Sequence, residues 1–104
     1  MNLDKIVSLI HSAMCSHMTH YGIEPETLYL NNADWRLLRA AWEKDTRVWQ
    51  YPPQLELFDD YIPPNTRLYG TVVEAHPTDS YVCHREQMFQ GGAYHEKTTE
   101  VSFK

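Results

Sequence analysis

The stretch "ETLYLNNADW", residues 26–35, runs from a short β-prone segment straight into two asparagines, an acid and a tryptophan. Thr27 to Leu30 reads as a short strand. Asn31 or Asn32 then caps a helix, with Asp34 in the first turn, where the helix dipole favours an acid. That helix is expected to run to about Lys44. Trp35, Leu38, Ala41 and Trp42 form its inner face, and Arg39 and Glu43 make an i,i+4 pair outside.

Upstream, residues 2–21 carry Leu3, Ile6, Val7, Ile10, Ala13, Met14, His17, Met18 and Tyr21 at spacings of three and four. That spacing is one apolar stripe on a helix. Asn2 can cap its start, and Gly22 can supply the left-handed residue that ends it. The order so far is helix, strand, helix.

Downstream, "QYPPQLELFDDYIPPN" is bracketed by Pro52-Pro53 and Pro63-Pro64. Proline removes a backbone donor and pushes its predecessor toward extended conformations, so a long loop is expected over 52–64. "TRLYGTVVEAH" reads as one central strand, Leu68 and Val72 pointing one way and Tyr69, Val73 and Ala75 the other. Gly70 within it suggests a bulge or a close approach. Pro77 to Ser80 make a turn, "SYVCHREQMF" is a further strand, and Gly91-Gly92 a tight hairpin turn. The last segment alternates, with Thr99, Val101 and Phe103 on one face, and reads as an edge strand. The expectation is one α+β domain over 1–104: a small antiparallel sheet packed by two helices, with a long proline-bracketed loop.

The chain has 104 residues, 42% hydrophobic and 22% charged, values of a globular domain with one core. Its net charge of −5, with nine scattered basic residues, opposes binding to a phosphate backbone, and no nucleic-acid partner is expected. An acidic protein is suited instead to a basic surface. Asp4, Lys5 and His11 interrupt the apolar run a signal peptide would need, and no stretch reaches 18 apolar residues. A cytoplasmic protein with reduced Cys15 and Cys83, away from membranes, is therefore expected.

Chemistry-bearing residues cluster in "HSAMCSHMTHYG", residues 11–22. Only His11 and Cys15 have the i,i+4 spacing of a helical metal pair, and a zinc site needs three or four ligands. Cys83, His84 and His95 could complete one if their hairpin packed there, but no CxxC or HExxH requires it. The reading is no metal and no cofactor. Nucleophilic catalysis needs a base beside the nucleophile and a group orienting that base. Cys83 and His84 are strand neighbours pointing to opposite faces. No enzyme is expected.

The segment "LELFDDYI" interleaves apolar anchors with acids, and the flanking prolines lower the entropy cost of presenting it. Trp49, near Arg47 and Tyr51, has the residue types enriched at binding hot spots. The expected partner-binding residues are Trp49, Tyr51, Leu57, Phe58, Asp59, Asp60 and Tyr61, with a core-covering role as the competing reading.

The stretch "EPETLYLNNADWRLLRAAW" followed by "TRLYGTVVEAHP" resembles a pattern of small phage and prophage proteins, and loosely a fragment of tailed-phage capsid proteins. The resemblance covers about half the chain, is structural, and carries over no catalytic residue. It implies a phage origin and action in the host cytoplasm. The expected function is non-enzymatic, stoichiometric binding of another protein, as a phage-encoded inhibitor of a host or defence factor. The alternatives are a virion or assembly component that self-associates as a homo-oligomer through the strand around Val101, and a small metal-binding protein.

Overall fold

The computed structural model of the chain describes residues 2–44, 62, 66–68, 70–87 and 94–103, with the backbone alone at Glu43. Its elements are α1 (Leu3–Tyr21), β1 (Thr27–Leu30), α2 (Asn32–Lys44), β2 (Arg67–Leu68), β3 (Thr71–Ala75), β4 (Tyr81–Gln87) and β5 (Tyr94–Glu100). This is the expected α+β class.

Both helices start on asparagine side chains, because the first N–H groups of a helix have no partner within it. Asn2 Oδ1 accepts from the Lys5 N–H at 2.9 Å, and Asn31 Oδ1 accepts from the Asp34 N–H at 2.9 Å. Gly22 ends α1 at φ 72°, its N–H donating to the Met18 carbonyl. The left-handed conformation costs glycine nothing and a residue with a Cβ about 1–2 kcal/mol.

The sheet has five described strands in the order β2-β3-β1-β4-β5. Its pairings are antiparallel except β1 with β3, which is parallel. Parallel neighbours require a crossover, and α2 lies on the chain between them. The expected purely antiparallel sheet is thus a mixed one. The single strand read in "TRLYGTVVEAH" is a hairpin: Leu68 pairs with Thr71 and Arg67 with Val72, with Gly70 between the strands at φ 82°. The reversal also corrects the faces. Leu68 is buried with Val73, not grouped with Val72. β4 and β5 pair from Gln87↔Tyr94 to Tyr81↔Glu100, so residues 88–93 connect them; Gly91-Gly92 lie outside the described residues. β5 is an edge strand, as expected, and Val101 and Phe103 are buried just past its end.

One core cluster joins Leu3, Ile6, Ile10 and Ala13 of α1 and Trp35, Leu38 and Ala41 of α2 to Leu28, Leu30, Val73 and Val82 of the sheet. Ile6, Leu28, Leu30 and Val82 are wholly shielded from solvent. Burying side chains of this kind stabilises the fold by about 1.5–3 kcal/mol each. The buried line along α1 steps by three and four from Leu3 to His17, narrower than the nine-residue stripe; Met18 is 44% exposed. Among the described residues, no helix is long and apolar enough to cross a membrane.

Candidate functional site

Side chains of β4 alternate across the sheet. Val82, His84 and Glu86 face the helices, while Tyr81, Cys83 and Arg85 face away from them. Two polar arrangements result, one on each face.

On the helix face, His17 of α1 meets His84 of β4. His17 Nε2 and His84 Nδ1 are 2.5 Å apart, His84 Nε2 is 3.0 Å from Glu86 Oε1, and His17 Nδ1 is 2.8 Å from Thr99 Oγ1. Both rings are shielded from solvent, and Tyr21 packs against them, tilted to His17 and edge-on to His84, at 4.7 and 5.3 Å between centroids. The carboxylate can only accept, so it sets the direction of the whole row. His84 Nε2–H donates to Glu86, His84 Nδ1 accepts from His17 Nε2–H, and His17 Nδ1 accepts from the Thr99 hydroxyl. The bond to His84 holds the Glu86 carboxyl below its usual range. Burial, then the charges of His84 and His20, lower the proton affinity of His17.

The face away from the helices carries rings. β1 pairs with β4 so that Tyr29 opposes Tyr81, and their rings lie 4.9 Å apart. His76 closes a trio at 5.9 Å from Tyr29 and 5.2 Å from Tyr81. Its position is fixed by its own turn: His76 Nδ1 accepts from the N–H groups of Thr78 at 3.2 Å and Asp79 at 2.9 Å. An Arg85 guanidinium N–H donates to the Tyr29 hydroxyl at 3.5 Å. Tyr94, 64% exposed, lies in the same alternation as Glu96 and lengthens the row. Burial and then the Glu96 hydrogen bond push Tyr81 up to about 12. Glu74, Glu96 and Glu100 flank the rings, by register with Tyr29, Arg85 and Tyr81. Among the described residues, both helices share the core on the opposite face, and nothing described lies across this one.

The metal candidates are spread over the molecule. His11 and Cys15 approach to 3.8 Å on the exposed side of α1. Cys83 is buried on the face away from the helices, where burial first and Glu96 second push its thiol up to about 11. His84 is on the helix face, and His95 pairs across from Glu86 on the edge strand. Among the described residues, no group of three or more His, Cys, Asp or Glu is placed to hold a metal ion. Trp49, Tyr51, Leu57, Phe58, Asp59, Asp60 and Tyr61 lie outside the described residues. Ile62, near the end of that segment, is half-buried and packs on the core.

Sequence reasoning missed both arrangements. His17 was legible as a residue in the apolar stripe, but its partner is 67 positions away. Tyr29 and Tyr81 were legible as strand residues, and only the register makes them neighbours. Comparison of the chain with protein-family models, with curated proteins and with solved structures finds no match.

Proposed function

We propose that this chain is a non-enzymatic protein-binding protein that docks a partner on the face of its sheet turned away from the helices. The observation that carries the reading is the ring trio Tyr29, His76 and Tyr81, with Arg85 at its margin, on a face that no described element covers. Tyrosine is enriched at binding hot spots because it offers large contact area, a polar tip and few rotors to freeze, and arginine because its planar guanidinium donates several hydrogen bonds at once. The flanking Glu74, Glu96 and Glu100 and the net charge of −5 select a partner that presents lysine or arginine. Such cations can also stack on the tyrosine faces. The proline-bracketed segment, with Trp49, Tyr51, Leu57, Phe58, Asp59, Asp60 and Tyr61, is the second candidate surface on residue chemistry alone. The narrower form, a phage-encoded inhibitor that occupies a host or defence factor, is supported by the resemblance of the two strand-bearing segments.

The test is quantitative binding to whatever protein the full chain captures saturably, with Arg85→Ala and Glu74→Lys as variants. Both positions are exposed, so the melting temperature should hold. Arg85→Ala should weaken binding by about 2 kcal/mol, roughly 30-fold, as for a hot-spot residue. Binding unchanged in both variants but lost in Phe58→Ala with Asp59→Ala would move the site to the proline-bracketed segment.

A further inference from the structure

The two rings His17 and His84 share one hydrogen bond, and each has its other nitrogen engaged, at Thr99 and Glu86. With both rings neutral, every donor in the row meets an acceptor. A first proton also fits. It adds an N–H at His17 Nδ1, and the Thr99 hydroxyl turns from donor to acceptor. A second proton has no place, because both nitrogens facing each other would then carry hydrogen, in a site shielded from water.

We propose that the His17–His84 pair is a proton-operated latch. It holds the last turn of α1 on β4 and β5 while it carries at most one proton, and releases that turn when the second binds. The groups facing the pair carry both signs, with cations on α1 and β5 and one carboxylate on β4. On α1, His20 adds positive charge and Tyr21 lies against both rings. On β5, Lys97 pairs across from His84 and His95 across from Glu86, with Thr99 as the neutral hydroxyl. Glu86 supplies the opposing carboxylate from β4. Burial leads among the influences on His17, followed by the charges of His84 and His20. A Tyr21 hydroxyl donating to the Thr98 carbonyl at 3.3 Å is the further tie that would part with the turn.

Amide hydrogen exchange of the full chain tests this, read as protection at His17 to Tyr21 relative to Ile6 to Ile10 of the same helix. The ratio cancels the intrinsic pH dependence of exchange. From about pH 7.5 to about pH 5 the ratio should fall at least roughly tenfold in the wild-type chain. It should stay flat in His84→Gln, whose amide can both donate and accept but does not titrate. A flat wild-type ratio, or a fall undiminished in His84→Gln, overturns the latch. Should His84→Gln fail to fold, Thr99→Val decides. Without the acceptor for the first proton, release must move to higher pH, and an unmoved midpoint refutes the proposal.

Discussion

Gly70 shows how much of a topology one residue can carry. It sits at φ 82° between β2 and β3, and a Cβ built there would meet nothing within 4 Å. The penalty for Gly70→Ala is therefore backbone strain alone, about 1–2 kcal/mol. For a domain of this size that lowers the melting temperature by roughly 4–8 °C per kcal/mol. Gly70→Asn should lose less, since asparagine tolerates the left-handed region. Thermal unfolding of the two variants checks the ranking. The glycine was legible in the sequence as a break in a strand, but the reversal was not. A two-residue connection between segments apolar on both faces leaves no change of period to read. His17 makes a second residue-scale prediction. Its proton affinity is depressed in the fold, chiefly by burial, from an ordinary value of 6.5. The unfolded chain then takes up a proton before the folded one does, so stability must fall as pH drops below 6.5 and levels off only once the pH lies below the folded value. Glu86, held low by the same row, adds a loss of the same sign at more acid pH. Denaturant unfolding at neutral and mildly acid pH, in wild type and His17→Asn, measures the difference. A wild-type stability that rises on acidification would contradict it.

At the scale of elements, the start of α2 is tied to the turn before β4. The Ser80 hydroxyl donates to an Asp34 carboxylate oxygen and accepts the Asn31 N–H at 3.1 Å, while the Asn31 side-chain amide donates to the Thr78 carbonyl at 3.2 Å. Ser80 is 5% exposed, so nothing replaces its oxygen if it is removed. Ser80→Ala should cost about 1–3 kcal/mol, the penalty of a buried donor and carboxylate left short of a partner. Equilibrium denaturation measures it, and a loss below a few tenths would mean that water takes the hydroxyl's place. Here the division between legible and hidden follows sequence distance. The caps at Asn2 and Asn31, the strand at Thr27 to Leu30 and the stop at Gly22 are local, and each was readable where it stands. Ser80 lies 49 positions from Asn31, and nothing near either residue announces the other.

At the scale of the molecule, the crossover from β1 to β3 makes the sheet mixed, and residues 45–61, which it includes, carry no periodic signal from which a parallel partner could be read. The crossover also leaves β5 as the long outer strand, facing the two-residue β2 at the other edge. The outer edge of this seven-residue strand, which no other described strand pairs, is a template for a second copy, the geometry that self-assembly would need. Its composition argues the other way. Two copies of β5 paired antiparallel about a two-fold axis set Lys97 against Lys97, Glu96 against Glu96, or Glu96 against Glu100, depending on register. Like charges directly opposed destabilise a strand pair by about 0.2–1 kcal/mol each, against a small gain from so short an edge. The chain should therefore be a monomer at roughly 100 µM, where an unguarded edge would associate. Replacing both Glu96 and Lys97 by threonine removes the opposition while keeping strand propensity, and that variant should sediment as a dimer or larger. Sedimentation velocity on the two chains distinguishes the roles open to this sheet. A wild-type chain that forms a discrete closed oligomer, unchanged by the double substitution, would make assembly its business and leave the ring-bearing face as part of a contact between copies. A monomeric wild type keeps a different protein as the partner proposed for that face.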